Sequence, residues 1–162
     1  MKPIIVRGGG DLATATIHRL CKSGYPVIIL ECERPSAIRR LVSFCQAVYE
    51  GTMEVEGLTC SRAECFEEAL EQVAWNRPQF IVDPQGKCLE KYRPDILIDG
   101  ILAKKNLGTR RDMAELTIAL GPGFTAGEDV DYVIETKRGH YLGRIIGQGG
   151  AIPNTGVPGV IG

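Results

Sequence analysis

Short apolar runs alternate with stretches of helical spacing along most of this chain. Six such runs predict strands, over residues 4–7, 27–30, 80–83, 96–99, 116–120 and 130–135. Most are apolar without alternation, which is typical of strands buried on both faces. Strands that alternate with helices indicate a mostly parallel sheet. The pattern therefore predicts an α/β fold, a Rossmann-like three-layer arrangement.

Apolar positions at helical spacing also predict helices over residues 35–48 and 61–74. The second of these carries a capping-box sequence at residues 61–64. Residues 53–60 alternate between polar and apolar and contain Glu56-Gly57, which predicts a short hairpin or an edge strand.

The first predicted strand runs directly into glycines that a helix-like stretch follows. Small residues occupy the first, third and sixth places of the G-x-G-x-x-G/A pattern, in which they allow a tight turn, a close approach of pyrophosphate and close helix packing. The alternative is a tight turn beside an empty crevice. The predicted phosphate-binding residues are Gly8, Gly9, Gly10, Asp11, Leu12 and Ala13.

The second predicted strand ends in Glu31, 21 positions after Gly10. A ribose-binding acid is expected at about that spacing, and a carboxylate there favours an unphosphorylated ribose. Arg34 could instead accept a 2′-phosphate, so the choice between NAD and NADP stays open. No Gly-Lys-Ser/Thr ending is present, which excludes a P-loop.

Basic pairs follow two of the predicted strands. Arg39 and Arg40 come after the second, and Lys104 and Lys105 come after the fourth. Loops at the carboxyl edge of a doubly wound sheet rise beside one another, so these cations are predicted to converge on the anionic part of a ligand. Solvated charged loops are the alternative.

Two later features are further candidates for ligand contact. Gly121 and Gly123 lie in a second glycine-rich loop that could press backbone N–H groups against a ligand or simply turn the chain. His140 lies between Arg138 and Arg144, and it is either a proton donor or anion contact, or a surface residue of a hairpin.

Size and charge narrow the function classes. The 162 residues suit a single Rossmann-like domain over residues 1–162, and 19 basic against 20 acidic residues give no general attraction to nucleic acid or membranes. No apolar run approaches the ~20 residues of a membrane span. We expect a cytoplasmic protein. Its six cysteines lack a C-x-x-C pattern, and we expect no metal site.

Several longer motifs, in order, support a family resemblance. They occupy residues 7–13, 35–40, 101–110, 120–124 and 138–144. On these motifs the chain resembles the selenium-dependent molybdenum hydroxylase accessory proteins of YqeB type, which are related to the XdhC-type molybdenum cofactor chaperones. The resemblance covers nearly the whole chain and implies a Rossmann-like core. In that family a small lipoyl-like β domain is expected after residues 153–159, and it is not expected within this chain.

The resemblance implies a role in maturing selenium-dependent molybdenum hydroxylases, which are related to xanthine dehydrogenase. The expected ligand is a molybdopterin-type cofactor or a dinucleotide such as NAD. The expected partner is the molybdenum hydroxylase apoenzyme, and a homo-oligomer is possible. Whether the protein is itself an enzyme stays open. An NAD(P)-dependent oxidoreductase is the main alternative, although no Tyr-x-x-x-Lys pair is present. A subunit-docking module is a third.

Overall fold

The computed structural model describes residues 1–153, which form nine strands and three α-helices. The helices are α1 (Asp11–Lys22), α2 (Ala47–Glu50) and α3 (Phe66–Gln72). The strands are β1 (Ile4–Arg7), β2 (Val27–Glu31), β3 (Thr52–Val55), β4 (Leu58–Arg62), β5 (Gln79–Val82), β6 (Ile96–Asp99), β7 (Leu116–Leu120), β8 (Tyr132–Ile134) and β9 (Ile145–Ile146).

All nine strands form one sheet, in the order β3-β4-β5-β2-β1-β6-β7-β8-β9. Six adjacent strands of this sheet, in the order β5-β2-β1-β6-β7-β8, run parallel. Numbered among themselves along the chain, these six follow the order 3-2-1-4-5-6 of doubly wound sheets. β3 and β9 are antiparallel additions at the two edges. From β1 the chain passes to β2 on one side of β1. After β5 it crosses to β6, which lies on the other side of β1. The topological switch point therefore lies between the carboxyl ends of β1 and β6.

Apolar side chains cover both faces of the sheet. One face carries Val6, Ile29 and Phe80, which pack with Ile17 of α1. The other carries residues such as Ile5 and Leu97, and it packs with Ala69 of α3. This two-sided burial confirms the predicted α/β, Rossmann-like fold. No helix within residues 1–153 combines the length and apolarity that a membrane crossing requires.

The predicted helix over residues 35–48 is wrong. Residues 40–42 and 44–46 form separate 3₁₀ turns, and only α2 is α-helical. Ile38 and Leu41 are 98% and 87% exposed, so the apolar spacing does not form a buried stripe. The N–H groups of Phe44 and Cys45 donate to Thr14 Oγ1 and Gly9 O instead of to their own turn. Tertiary hydrogen bonds have replaced the helical ones.

The hairpin prediction is confirmed, because β3 and β4 pair antiparallel across Glu56-Gly57. Both turn residues have positive φ, 47° and 79°, which matches the twist of a two-residue hairpin. The predicted capping box is misplaced. Residues 61–62 still belong to β4, and α3 begins only at Phe66 after an extended Cys65.

Candidate functional site

The glycine loop begins with a close contact across the switch point. Gly8 has φ +97°, and a Cβ on it would lie 2.8 Å from the carbonyl oxygen of Gly100, directly after β6. Gly100 N in turn donates to Arg7 O at 2.8 Å. A side chain at Gly8 would be strained and would push β1 away from the loop that follows β6.

Gly9 is held inside the fold by hydrogen bonds from three directions. Its N–H donates to Glu31 Oε2 at 2.8 Å. Its carbonyl accepts from Cys45 N at 2.9 Å and from Thr14 Oγ1 at 3.2 Å. A Cβ on Gly9 would lie 3.2 Å from Cys45 N. Gly9 therefore permits packing against the segment of residues 43–46 and leaves no room for a ligand on that side.

Gly10 differs from its two neighbours because the space above it is open. It is the N-cap of α1, with extended φ −69° and ψ −175°. A Cβ on Gly10 would meet no heavy atom within 4 Å. The position combines a half-buried helix N-terminus with open space on the side that a Cβ would occupy, and anions bind at helix N-termini in nucleotide-binding folds.

Asp11 adds a negative charge to this helix start. Its Oδ1 accepts from Leu12 N at 2.9 Å, and its Oδ2 lies 3.9 Å from Arg39 Nε. The carboxylate thus occupies one N–H group of the first turn that the sequence assigned to phosphate. Arg39 offsets part of its charge, and both side chains remain substantially exposed.

Glu31 lies where the sequence predicted it, at the end of β2 beside the glycine loop. One carboxylate oxygen accepts from Gly9 N and the other from Cys32 N, at 2.8 and 2.9 Å. Glu31 therefore holds the backbone of the glycine loop. Its contact with a ribose stays a prediction, and such a contact would have to share these two oxygens.

The four predicted cations lie on two sides of the glycine loop. Arg39 and Arg40 belong to the segment beside α1, whereas Lys104 and Lys105 lie in the loop after β6. All four are exposed, and no hydrogen bond or ion pair within residues 1–153 joins the two pairs. The topology brings them to one edge of the sheet, and their convergence on a ligand remains a prediction.

Gly121 and Gly123 have a packing role that the sequence alone did not reveal. A Cβ on Gly121 would lie 2.9 Å from Leu102 Cδ2, and one on Gly123 would lie 2.7 Å from Lys105 Cα. Both residues have positive φ. The two glycines let the loops after β6 and β7 pack together, and this accounts for them without a ligand.

His140 lies in the turn between β8 and β9 and is exposed. Its ring packs edge-on against Tyr141, with centroids 5.1 Å apart. The guanidinium of Arg144 lies 5.8 Å from the centre of the same tyrosine ring. β8 is three strands from β1, roughly 14 Å across the sheet at about 4.8 Å per strand. The observed contacts are those of a surface hairpin.

Sequence reasoning missed a buried polar network beneath the switch point. Arg7 is 2% exposed and donates to Thr109 Oγ1 at 2.8 Å, and also to the carbonyls of Pro84 and Leu107 at 3.1 and 3.3 Å. Thr109 Oγ1 donates to Asp99 Oδ2 at 2.6 Å. Two features of the sequence indicate this network: Arg7 in an apolar strand and Asp99 at the end of another.

A groove of about 470 Å³ runs from Asp11 along one side of α1. Its other walls are residues 39–42 and the β3–β4 turn. A second cavity, of about 580 Å³, lies on the opposite face between α3 and the 3₁₀ turn Lys87–Glu90. The groove therefore adjoins the open glycine, and the second cavity lies away from it.

The thiols near the glycine loop are poor nucleophiles. Burial, with the nearby Glu31 carboxylate, raises the pKa of Cys45 to about 11. The same two causes raise the pKa of Cys32 above its ordinary value. Neither sulfur is held as a thiolate at neutral pH. Among residues 1–153, no cluster of histidine, cysteine and carboxylate side chains is arranged to hold a metal ion.

Comparison with known proteins finds a relative that aligns with nearly the whole of this chain. The chain is 50% identical over 158 residues to the uncharacterized protein YqeB of Escherichia coli (strain K12), an alignment that covers 98% of this chain. The chain spans 29% of that relative's length. No protein-family model matches the chain. No solved structure matches it either.

Proposed function

We propose that this chain binds a nucleotide-containing cofactor at the switch point of its sheet and acts in the maturation of selenium-dependent molybdenum hydroxylases. The ligand in this proposal is of molybdopterin type, often joined to a cytidine nucleotide, whereas a dinucleotide such as NAD is the ligand of the alternative function given below. The partner is the molybdenum hydroxylase apoenzyme. The cofactor is held while the hydroxylase is loaded or modified.

The observation that carries the proposal is the open space above Gly10. Gly8 and Gly9 are both enclosed by neighbouring backbone, whereas Gly10 begins α1 with free access from outside. It also lies at the carboxyl end of β1, where ligands bind in doubly wound sheets. A phosphate at this position would meet N–H groups of the first helical turn, with Arg39 close to the same helix start.

The motif resemblance supplies the pathway in this proposal. The relative that is 50% identical is a longer protein that aligns with nearly all of this chain, and its name assigns no activity. The alternative of an NAD(P)-dependent oxidoreductase rests on the 3-2-1-4-5-6 strand order, which is the order of dinucleotide-binding sheets.

A thermal-shift panel tests both proposals. The parent protein is heated with NAD, NADP, CTP and molybdopterin cytosine dinucleotide, each beside a Gly10→Val variant. A ligand at about 100 times its Kd adds about 2.7 kcal/mol to the free energy of unfolding. We expect stabilisation by the molybdopterin compound in the parent and none in Gly10→Val. Stabilisation by NAD or NADP alone would favour the oxidoreductase, and no stabilisation by any compound would exclude nucleotide binding.

A further inference from the structure

The groove along α1 has the size and lining of a small-molecule site. Its volume of about 470 Å³ lies within the range of about 300–1,000 Å³ that ligand pockets occupy. Leu12 and Val42 line it, and both are exposed apolar side chains, at 50% and 44%. Ala15 and Val55 add further apolar surface. A flat heteroaromatic ring would cover these side chains.

Polar groups lie at the two ends of the groove. Asp11 and Arg39 flank the end that adjoins Gly10. At the other end, His18 Nε2 lies 3.3 Å from the carbonyl oxygen of Glu56. The groove therefore has an apolar middle, with Asp11 and Arg39 at the end that meets the glycine loop and His18, Arg19 and Glu56 at the far end.

We propose that the base of a ribonucleotide enters this groove and that Asp11, not Glu31, accepts its ribose hydroxyls. The inference rests on the proposed function and adds where the sugar and the base of the ligand lie relative to its phosphate. A sugar that joins a phosphate above Gly10 to a base in the groove would pass Asp11, which lines the groove at that end. The base then continues along α1 toward His18.

The hydrogen bonds of the two carboxylates decide between them. Both oxygens of Glu31 accept backbone N–H groups, and a turn toward a ribose would leave Gly9 N unpaired. Asp11 uses only Oδ1 in this way. Its Oδ2 lies 3.9 Å from Arg39 Nε and accepts no hydrogen bond from residues 1–153. A hydroxyl can therefore bind to Oδ2 without displacing a partner.

Isothermal titration of ADP, CDP and their 2′,3′-dideoxy counterparts tests the role of Asp11. We expect the parent to prefer the ribose forms by about tenfold, as suits a hydrogen bond to a charged acceptor. In Asp11→Asn the ratio of the affinities for the ribose and dideoxy forms falls to about twofold or less. Glu31→Gln, once shown to be folded, retains the tenfold ratio. A ratio that survives in Asp11→Asn and disappears in Glu31→Gln would overturn the assignment.

Inorganic pyrophosphate separates the groove from the phosphate site. Ala15→Trp fills the groove from an exposed position of α1, so it should weaken ADP and CDP binding at least tenfold and leave pyrophosphate binding unchanged. Lys22→Trp, at the far end of α1, is the matched control and should bind all three like the parent.

The outcomes distinguish this inference from the proposed function. If Ala15→Trp binds nucleotides as the parent does, the groove is not the base site. If the parent binds nucleotides in a Gly10-dependent way without a ribose preference, the assignment to Asp11 fails and the proposed function stands. If neither pyrophosphate nor any nucleotide binds the parent, both proposals fail.

Discussion

Arg7 and Asp99 are register partners in β1 and β6, and a single hydroxyl joins their side chains. Thr109 Oγ1 accepts from Arg7 Nη1 at 2.8 Å and donates to Asp99 Oδ2 at 2.6 Å. All three residues are at most 2% exposed. Asp99 Oδ1 also accepts from Ile101 N at 3.1 Å, so the network reaches the loop that contacts Gly8. The buried charges therefore fix the backbone on both sides of the switch point.

Thr109→Val should lower the free energy of unfolding by about 2 to 3 kcal/mol. Valine keeps the shape of threonine but leaves Arg7 Nη1 and Asp99 Oδ2 without their shared partner in a buried site. Chemical denaturation measures the loss. Thr109→Ser keeps the hydroxyl and should recover most of it. A valine variant as stable as the parent would mean that water replaces the hydroxyl.

Substitutions in the glycine loop should separate folding from ligand binding. Gly8→Ala should cost about 2 kcal/mol or more, because φ is +97° and the new Cβ meets Gly100 O at 2.8 Å. Gly10→Val has an extended backbone and open space, so it should fold nearly as well as the parent. Thermal melts with and without nucleotide check both. Equal nucleotide stabilisation of parent and Gly10→Val would refute phosphate binding at this loop.

The cysteines should differ sharply in their reaction with a maleimide. Cys65 is exposed and should label first. Burial raises the pKa of Cys21 to about 12 and that of Cys45 to about 11, so both stay protonated and enclosed at pH 8. Mass spectrometry of the native protein should therefore find Cys65 modified within minutes and these two unmodified. Rapid labelling of Cys45 would show that the segment over Gly9 opens readily.

Asp131 should contribute to stability at neutral pH and lose that contribution in acid. Burial opposes its charge, but hydrogen bonds from Thr117 and Arg111 prevail and hold its pKa below the ordinary 3.8. The folded pKa is lower than the unfolded one, so the contribution is complete above the unfolded value and disappears as pH falls through the folded value.

Asp131→Asn should therefore flatten the decline in unfolding free energy below about pH 5. The matched control is Asp112→Asn, which removes an exposed carboxylate paired with Arg110. Denaturation at a series of pH values measures both variants. An acid decline that is the same in parent and Asp131→Asn would assign the pH dependence to other groups.

Arg39→Ala and Lys104→Ala test whether cations from two sides of the glycine loop bind one ligand. Each should weaken nucleotide affinity several-fold at low salt, and the difference from the parent should shrink as added salt screens the exposed charges. Titration at two ionic strengths measures this. If Lys104→Ala binds like the parent, the ligand does not reach the loop after β6.

Local patterns were sufficient for the central strands and the hairpin. Residues 4–7, 96–99 and 116–120 form strands with the predicted bounds, because an apolar run that ends at a glycine or polar residue has few alternatives in a buried sheet. The pattern failed over residues 35–48. There the N–H groups of Phe44 and Cys45 donate to Thr14 and Gly9, and helical spacing carries no information about partners 30 and 36 positions away.

The sequence located the glycine loop of the candidate site but not the packing around it. The glycine spacing located the loop, but it did not show that Gly8 and Gly9 are enclosed while Gly10 is open. The position of Glu31 predicts a ribose contact, which stays a prediction, and in the fold both of its carboxylate oxygens accept backbone N–H groups. Spacing predicts which residues meet at the sheet edge. It cannot predict which hydrogen bonds they have already made.

By itself the sequence determined the parallel strands, the turn at residues 8–10 and the hairpin at Glu56-Gly57, since each depends on neighbouring residues and their backbone preferences. Tertiary structure decided the rest. Arg7 and Thr109 lie 102 positions apart, and their contact exists only because β1 and β6 are adjacent in the sheet. The groove along α1 likewise needs a hairpin and a loop from other parts of the chain. Long-range packing, which no local pattern encodes, set the chemistry of the site.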